Sequence, residues 1–342
     1  MTAPLAPYPT PEARDALVRT HADTLRADVL VYGQSAEGRP LLAVRVPAKA
    51  EHARRVLVTG NIHGLEFVSC LVALGVLEAL PHDPALERLR TRAELWVVPC
   101  ANPDGYARTF AAGGTGRLAE LRPNARGVDL NRNFPLPAGH ERRRYPGAGS
   151  HRPGAATYVG PAPLSEPETW HLDVLMRDHP FCAAINGHSF MGKVIPARVL
   201  TRTDYRTYAR LCAAASAAQP LVRYGRLASP ILDAFTGEIE DHQHHGHGMW
   251  AACLETFSLG ASLRQHLRAP NLFWRFNPRD PGPWVQNDVP ALTAFLAAAL
   301  DQPRPSSAPH ARAAQGRSAR SALPSVTAAT DLASKRVRMA TA

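Results

Sequence analysis

Residues 56–66 read Val56-Leu57-Val58-Thr59-Gly60-Asn61-Ile62-His63-Gly64-Leu65-Glu66, and the fold is organised around them. The apolar start predicts a buried strand that ends at Gly60, and the apolar residues 67–80 predict the helix that follows. His63 and Glu66 lie at the junction, where an imidazole and a carboxylate can bind one divalent cation such as zinc. A single pair of this kind also arises by chance, so its meaning depends on the rest of the chain.

The composition is that of an ordinary globular protein. The chain has 342 residues, 45% of them hydrophobic, and no apolar run has the length of a membrane span. The first residues have no basic region followed by an apolar core, so a secretory signal is not expected. Five scattered cysteines predict reduced thiols. We therefore expect a cytoplasmic protein with no membrane partner.

The formal charge of +10 is concentrated at one end of the chain. Residues 301–342 contain seven Lys or Arg and two Asp, which gives +5 from this segment alone. The remaining charge is spread thinly, so we expect no specific nucleic-acid partner. Residues 303–342 are also rich in Pro, Ser, Ala and Arg and lack periodicity, which predicts a disordered tail after a domain of residues 1–302.

Helical and strand patterns alternate along the chain. Strands are predicted at 28–32, 41–46, 56–58, 95–98, 181–185 and 250–254, and the first two form a hairpin. Helices are predicted at 11–27, 67–80, 165–178, 203–218 and 288–301, with a short one after Pro84. This order predicts a single α/β domain with a mixed, mostly parallel central sheet and helices on both faces. Residues 100–155 lack periodicity and are expected to carry function.

Polar side chains follow several predicted strands: His63, Asn102, His188 and Glu255. In an open α/β sheet, binding sites collect at the carboxyl ends of the strands. His63, Glu66 and His188 together make the ligand set of a catalytic zinc with an open position for water, and Glu255 is then the natural general base. The alternative is that His188 is an ordinary buried histidine at the end of a strand.

Residues 122–134 form an arginine- and asparagine-rich segment between the predicted ligands. An adjacent Asn and Arg can hold a carboxylate, because the guanidinium supplies a bidentate fork and the amide a further donor. A second arginine can stabilise the oxyanion that forms when water attacks a peptide carbonyl. The alternative is a solvated basic loop.

Five motifs occur in the order that they have in the zinc carboxypeptidases of the carboxypeptidase A type. They are GQSAEGRPL at 33–41, NIHGLE at 61–66, NPDGY at 102–106, GVDLNRNFP at 127–135 and GHSF at 187–190. The resemblance covers about residues 25–300. The compact NARGVDLNRNFP block looks most like that of the bacterial murein peptide amidases, which release diaminopimelate from the γ-glutamyl bond of a cell-wall tripeptide.

The resemblance implies a role for each matching residue. One zinc per chain would be bound by His63, Glu66 and His188. Asn131 and Arg132 would bind the terminal carboxylate of the substrate, with Ser189 beside them. Glu255 would be catalytic, and Arg122 would stabilise the oxyanion, with Arg117 as the alternative. Glu240 would lie in the pocket for the terminal side chain, where it would favour an amino group, unless it simply faces water.

Two features depart from the family pattern. The mobile tyrosine of the family's peptidases has Asp233 in its place here. The segment 237–248 contains four histidines, and we expect a flexible loop there that either binds an additional metal or forms a solvated rim.

The sequence therefore predicts a zinc-dependent metallocarboxypeptidase or amidase. It would hydrolyse the amide bond before a terminal residue with a free carboxylate, with zinc-activated water and Glu255 as base, and murein peptides are one such substrate. One alternative is a zinc-dependent deacylase of N-acylated amino acids that resembles succinylglutamate desuccinylase or aspartoacylase. Another is a non-catalytic binding module on the same fold, and a third is a nucleic-acid-binding protein. The sequence does not indicate an oligomeric state.

Overall fold

The computed structural model describes residues 5–51, 53–142, 145, 147–228 and 234–306. Its strands are β1 Asp28–Gln34, β2 Pro40–Val46, β3 Arg54–Thr59, β4 Ala93–Val98, β5 Ala183–Ser189, β6 Lys193–Pro196, β7 Gly225–Arg226 and β8 Trp250–Thr256. Its helices are α1 Pro11–Leu25, α2 Phe67–Ala79, α3 Pro84–Arg90, α4 Pro103–Ala111, α5 Leu118–Leu121, α6 Pro167–Asp178, α7 Arg202–Ala218, α8 Ile239–His245, α9 Leu263–Arg268, α10 Phe273–Phe276 and α11 Gly282–Leu300.

The eight strands form one mixed sheet in the order β1-β2-β4-β3-β5-β8-β6-β7. Its centre is parallel, since β4, β3, β5 and β8 all run in one direction. The pairs β1–β2, β2–β4 and β8–β6 are antiparallel, and the edge pair β6–β7 is parallel. The predicted fold class is confirmed, and the carboxyl ends of the central strands meet at one edge.

Helices cover both faces of the sheet because the side chains of each central strand alternate. In β3, Val56 and Val58 pack in a core with α2, α7 and α11, whereas Leu57 packs in a second core. The second core includes Leu172 of α6 and Ile239 of α8. Among the described residues no single helix is long and apolar enough to span a membrane, although the bent pair α2 and α3 passes this test when counted together.

The loop between β3 and α2 is held tightly in place. Asn61 adopts the left-handed conformation with φ of 51°, and its side-chain amide donates to the carbonyl of His63 (2.9 Å). Gly64 lies directly on α4, since a Cβ atom there would be 2.6 Å from the Cα of Gly105. This contact explains why NIHGLE and NPDGY occur together: each supplies a glycine where the two backbones meet.

The hairpin motif has a structural role as well. Its tip, between β1 and β2, binds Asp104 of the NPDGY motif. The Ser35 hydroxyl and the Glu37 backbone N–H donate to the Asp104 carboxylate at 2.7 and 2.9 Å. Three of the five motifs therefore stabilise one another around the loop that carries His63.

Several local predictions were wrong. The segment 100–155, expected to be irregular, contains α4, which begins with Asn102 as its N-cap and Pro103 in its first turn. The sequence pattern does not indicate this helix because Gly105, a poor helix former, lies within it. The histidine-rich segment, expected to be a flexible loop, forms α8, and the side chains of α8 are largely buried. His188 lies inside β5 and not beyond it, and α11 begins at Gly282, earlier than predicted.

Hydrogen bonds to the domain continue past residue 302. The Trp250 indole N–H donates to the carbonyl of Pro303 (2.8 Å), and the Ser306 hydroxyl donates to Asp204 (2.7 Å). The remainder of the predicted tail, residues 307–342, lies outside the described residues, as does Asp233.

Candidate metal centre

Three predicted ligands meet at the carboxyl edge of the central strands. His63 and Glu66 lie in the loop after β3, and His188 is the penultimate residue of the neighbouring strand β5. Their donor atoms are close together: His63 Nδ1 is 2.8 Å from Glu66 Oε1, His188 Nδ1 is 3.1 Å from Glu66 Oε2, and the two Nδ1 atoms are 3.2 Å apart. All three side chains are buried.

This donor set fits zinc. A tetrahedral zinc with bonds of about 2.0–2.2 Å separates its ligand atoms by roughly 3.3–3.5 Å, close to the observed spacing. Two imidazole nitrogens that face each other cannot both donate a proton, and a shared cation satisfies both lone pairs. The three residues can thus hold one zinc ion through two nitrogens and a carboxylate.

A second acid, Asp129, and an arginine, Arg122, contact the side chains of the predicted ligands. Asp129 Oδ1 lies 3.2 Å from His63 Nε2, and Arg122 Nε donates to Asp129 Oδ2 at 2.9 Å. Arg122 also lies 4.0 Å from Glu66 Oε1. A carboxylate behind a ligating imidazole fixes the tautomer and the orientation of the ring. Asp129 was not predicted as a site residue, although it lies in the quoted motif two residues before Asn131.

The electrostatics of the cluster favour ionised carboxylates. Burial alone would raise the pKa of Glu66 and of Asp129. His63 and His188 outweigh the effect of burial on Glu66, so the pKa of Glu66 is lowered. Arg122 and His63 likewise lower the pKa of Asp129. Burial lowers the pKa of His188. A neutral His188 beside an ionised Glu66 is the protonation state that metal binding requires.

Glu255 faces the same space from β8. It is paired in register with His188 on the neighbouring parallel strand, so the two side chains project from one face of the sheet. A carboxylate oxygen of Glu255 and a ring nitrogen of His188 lie within 4.8 Å of each other. Burial and the Glu66 carboxylate raise the pKa of Glu255 above its ordinary value. A cation at the three ligands would oppose this rise by favouring the ionised form.

Asn131 and Arg132 line the cleft on the other side. Asn131 Oδ1 accepts a hydrogen bond from the Ile239 backbone N–H (2.9 Å), which leaves its amide group for other partners. Arg132 Nη1 lies 3.2 Å from Glu238 Oε1. Glu238 was not predicted, and nothing in the local pattern distinguishes it from a solvated acid before a helix.

Glu240 points into the cleft and not into solvent. Its side chain is on α8, the residue is 4% exposed, and its Oε1 lies 3.8 Å from His188 Nε2. Burial and the neighbouring Glu238 carboxylate raise the pKa of Glu240 to about 8. An unpaired carboxylate in this environment is costly, so the site favours a cation beside it.

The cleft that joins these groups has a volume of about 370 Å³. Ser189 lines the cleft. Its backbone N–H also donates to Glu66 Oε2 (3.2 Å) and so helps to position this ligand. Phe190, Met191, Ile195 and Phe276 supply its apolar walls. Every predicted site residue therefore lines one cleft: His63, Glu66, Arg122, Asn131, Arg132, His188, Ser189, Glu240 and Glu255.

Two other candidates from the sequence lie elsewhere. Asn102 is buried, caps α4 and donates to the carbonyl of Ile62 (3.1 Å), so its role is structural. The Arg117 side chain is 84% exposed and pairs with Glu120, which favours Arg122 over Arg117 as the arginine near the metal.

Comparisons with known proteins agree with this geometry. A sequence model of the zinc carboxypeptidase family matches residues 14–257. Carboxypeptidase A6 of Mus musculus is 31% identical over 159 residues, covering 44% of this chain and 35% of the mouse protein. Carboxypeptidase A1 of Sus scrofa is 29% identical over 185 residues, covering 52% of this chain and 42% of the pig protein. The matched segments thus span less than half the length of these relatives.

Solved structures share the fold. Bovine thrombin-activatable fibrinolysis inhibitor, in complex with tick carboxypeptidase inhibitor, superimposes with a TM-score of 0.69 at 18% identity, covering 86% of this chain and 97% of the bovine one. Carboxypeptidase A from Helicoverpa armigera gives a TM-score of 0.66 at 20% identity, covering 86% of this chain and 73% of the insect one.

Proposed function

The chain belongs to the zinc carboxypeptidase family, and on that basis we propose that it hydrolyses the amide bond before a terminal residue with a free carboxylate. One observation carries the proposal. The His63–Glu66–His188 cluster, the Glu255 carboxylate and the Asn131–Arg132 pair line the same cleft. A metal-ligand set, a base and a carboxylate-binding pair are the three parts that this reaction needs.

Zinc held by His63, Glu66 and His188 would supply a Lewis acid that polarises the carbonyl and makes water a nucleophile near neutral pH. Glu255 accepts the proton of the attacking water and passes it to the nitrogen of the leaving amine. Its position opposite His188 in register brings its carboxylate next to the metal ligands.

Two groups orient the substrate. The Arg132 guanidinium and the Asn131 amide bind the terminal carboxylate, which displaces Glu238 from Arg132. Arg122 lies beside Glu66 and stabilises the negative charge that develops on the carbonyl oxygen. The Asp129 carboxylate holds the Arg122 side chain in place.

A pair of matched substrates tests this proposal. We expect the zinc-loaded protein to cleave a peptide with a free terminal carboxylate, to leave the same peptide with a terminal amide intact, and to lose activity with a chelator until zinc is restored. An N-acylated amino acid in the same screen tests the deacylase alternative. Equal cleavage of the acid and the amide would contradict the proposed role of Arg132.

For the terminal side chain, we propose a residue that carries an amino or guanidinium group: lysine, arginine or diaminopimelate with its second amine. The support is Glu240, which lies buried in the cleft with Glu238 next to it. An ammonium group beside the two acids would restore the ionised form of Glu240 and offset the cost of its burial. A murein tripeptide ending in diaminopimelate carries both a free carboxylate and such an amine.

The substrate preference of a single variant tests whether Glu240 determines which terminal residue is accepted. Wild type should prefer substrates that end in lysine or diaminopimelate over phenylalanine, and Glu240→Gln should lose most of that preference while it retains zinc. Glu51→Gln, a change at an exposed acid, is the matched control. A wild-type preference for phenylalanine, or an unchanged preference in Glu240→Gln, would show that Glu240 does not determine the terminal residue that is accepted.

A further inference from the structure

A second cluster of ligand-type side chains lies outside the cleft. It consists of Asp173 on α6, His242 on α8 and His247 just after α8. The two Nε2 atoms lie 2.6 and 2.8 Å from the same Asp173 oxygen, Oδ1, and 3.3 Å from each other. The three side chains are 10–14% exposed, so they are largely withdrawn from water and yet reachable by an ion.

The cluster is separate from the catalytic centre. On α8, Glu240 faces the cleft, and His242 is two residues further along, roughly 200° around the helix. The His242 ring packs against Phe134 in the second core, with ring centroids 5.5 Å apart. The two sites therefore lie on different sides of the same short helix.

Both clusters have the same composition and nearly the same dimensions. Each contains two imidazoles and one carboxylate. The distances between donor atoms are 2.8, 3.1 and 3.2 Å in the first cluster, where the imidazoles contact different oxygens of Glu66, and 2.6, 2.8 and 3.3 Å in the second, where both contact Asp173 Oδ1. We propose that Asp173, His242 and His247 form a second divalent-metal site, for which zinc is the best fit. Two nitrogens and one oxygen at this spacing suit a tetrahedral ion whose fourth ligand is water.

The charges around the cluster suit metal binding. His242 and His247 lower the pKa of Asp173, although burial opposes them, so the carboxylate is ionised. Burial lowers the pKa of His242, so its ring is neutral at physiological pH. An ionised carboxylate and a neutral imidazole are the charge states in which these side chains coordinate a cation.

A metal here would have a structural consequence. It would connect α6 to the carboxyl end of α8, while Asn131 holds the first residue of α8 through the Ile239 N–H. The helix that carries Glu240 would then be fixed at both ends. We infer a stabilising role, with the orientation of Glu240 as its effect on the substrate pocket.

Zinc stoichiometry tests the proposal independently of activity. Protein equilibrated in a zinc-buffered solution and then freed of unbound metal should hold two zinc ions per chain in wild type and one in His188→Ala. Either His247→Gln or Asp173→Asn should also lower the wild-type value to one. The double variant His188→Ala/His247→Gln should hold none.

Thermal unfolding provides a second readout. Zinc should raise the melting temperature of His188→Ala and should leave that of the double variant unchanged, because a bound ion stabilises only the folded state. His245→Gln is the matched control, since His245 is on the same helix and contacts the carbonyl of Arg198 instead (2.8 Å). One zinc in wild type and none in His188→Ala would overturn the proposal. So would a zinc-dependent rise in melting temperature that persists in the double variant.

Discussion

At the scale of single residues, the proposed chemistry depends on Glu255 more than on any other side chain of the cleft. It is half-buried, it lies in register with the metal ligand His188, and the Met191 backbone N–H donates to its Oε2 at 3.3 Å. These contacts fix the position of the carboxylate in the cleft. A change that removes its basicity and keeps its shape therefore separates chemistry from folding.

Glu255→Gln should keep zinc and the native melting temperature, while kcat falls by roughly 10²-fold or more because the amide cannot accept the proton of water. Metal analysis and steady-state kinetics on the same preparation check both parts. Cys253, a ligand-type side chain that lies near both His188 and Glu255, offers the control Cys253→Ser, which should keep most of the activity. Full activity in Glu255→Gln would place the base elsewhere.

Asp129 is a second residue whose role a single substitution can test. Because its carboxylate lies behind His63 and also holds Arg122, Asp129→Asn should weaken zinc affinity by about 10–100-fold. Competition with a chromophoric chelator measures this affinity directly. An unchanged affinity would mean that the contact with Asp129 does not orient the His63 ring.

Some residues of the candidate site could be predicted from the sequence, and others could not. The grouping of His63, His188 and Glu255 at one edge was predictable because each lies at or just past the carboxyl end of a strand, and family motifs indicated Glu66 and the Asn131–Arg132 pair. Asp129 and Glu238 were not predicted, because their partners are remote in the chain: Asp129 meets His63, and Glu238 meets Arg132. Such contacts are set by tertiary packing, which no local pattern encodes.

At the scale of elements, α8 and α11 show why local patterns predicted the wrong structure or boundary. The histidines of α8 look like a polar loop, but packing against the sheet and the Asn131 contact make this segment a buried helix. In α11, the first turn contains Gly282 and Pro283, which are poor signals of a helix interior, so the predicted start was late. Tertiary contacts outweighed local propensity in both cases.

Helix α11 also carries a buried acid that predicts a pH dependence of stability. Burial raises the pKa of Asp288 to about 6, while hydrogen bonds from Tyr224 (3.3 Å) and Gln219 (3.0 Å) partly offset the rise. A carboxyl whose folded pKa exceeds its unfolded value stabilises the fold most below the unfolded pKa near 4, and that contribution is lost as the pH rises through 6.

The unfolding free energy of Asp288→Asn should therefore rise relative to wild type between pH 4 and pH 7, by up to about 3 kcal/mol. Urea unfolding of both proteins at several pH values measures the difference. Asp301→Asn, a change at an exposed acid after the same helix, is the control and should show a much smaller change. A difference that is constant over this pH range would contradict the raised pKa of Asp288 in the folded state.

At the scale of the whole molecule, the end of the domain can be tested by truncation. Residues 303–306 are hydrogen-bonded to the domain, through Trp250 to Pro303 and through Asp204 to Ser306, whereas the composition of the later residues predicts disorder. A chain ending at 306 should keep the melting temperature and the activity of the full chain. A chain ending at 302 should melt at a lower temperature, because the indole of Trp250 and the carboxylate of Asp204 lose these partners. Equal melting temperatures for the two truncations would contradict this boundary.

The sheet order and the cleft follow from the same property of the whole chain. Alternating helices and strands predicted the α/β class, and the parallel centre β4, β3, β5 and β8 then brings residues far apart in sequence to one edge. The second cluster on the far side of α8 was not predictable in the same way. Asp173 is 69 residues from His242, and the fold, which places α6 and α8 beside the same core, brings the two side chains together.

The central claim is that His63, Glu66 and His188 hold the zinc on which hydrolysis depends. The most direct measurement is the zinc content and the turnover of His188→Ala beside wild type, with His151→Ala at an exposed histidine as the control. We predict that His188→Ala holds one zinc fewer per chain and has lost nearly all turnover of a peptide with a free terminal carboxylate, while the control matches wild type. A His188→Ala protein with the zinc content of wild type, or with its turnover, would contradict the claim.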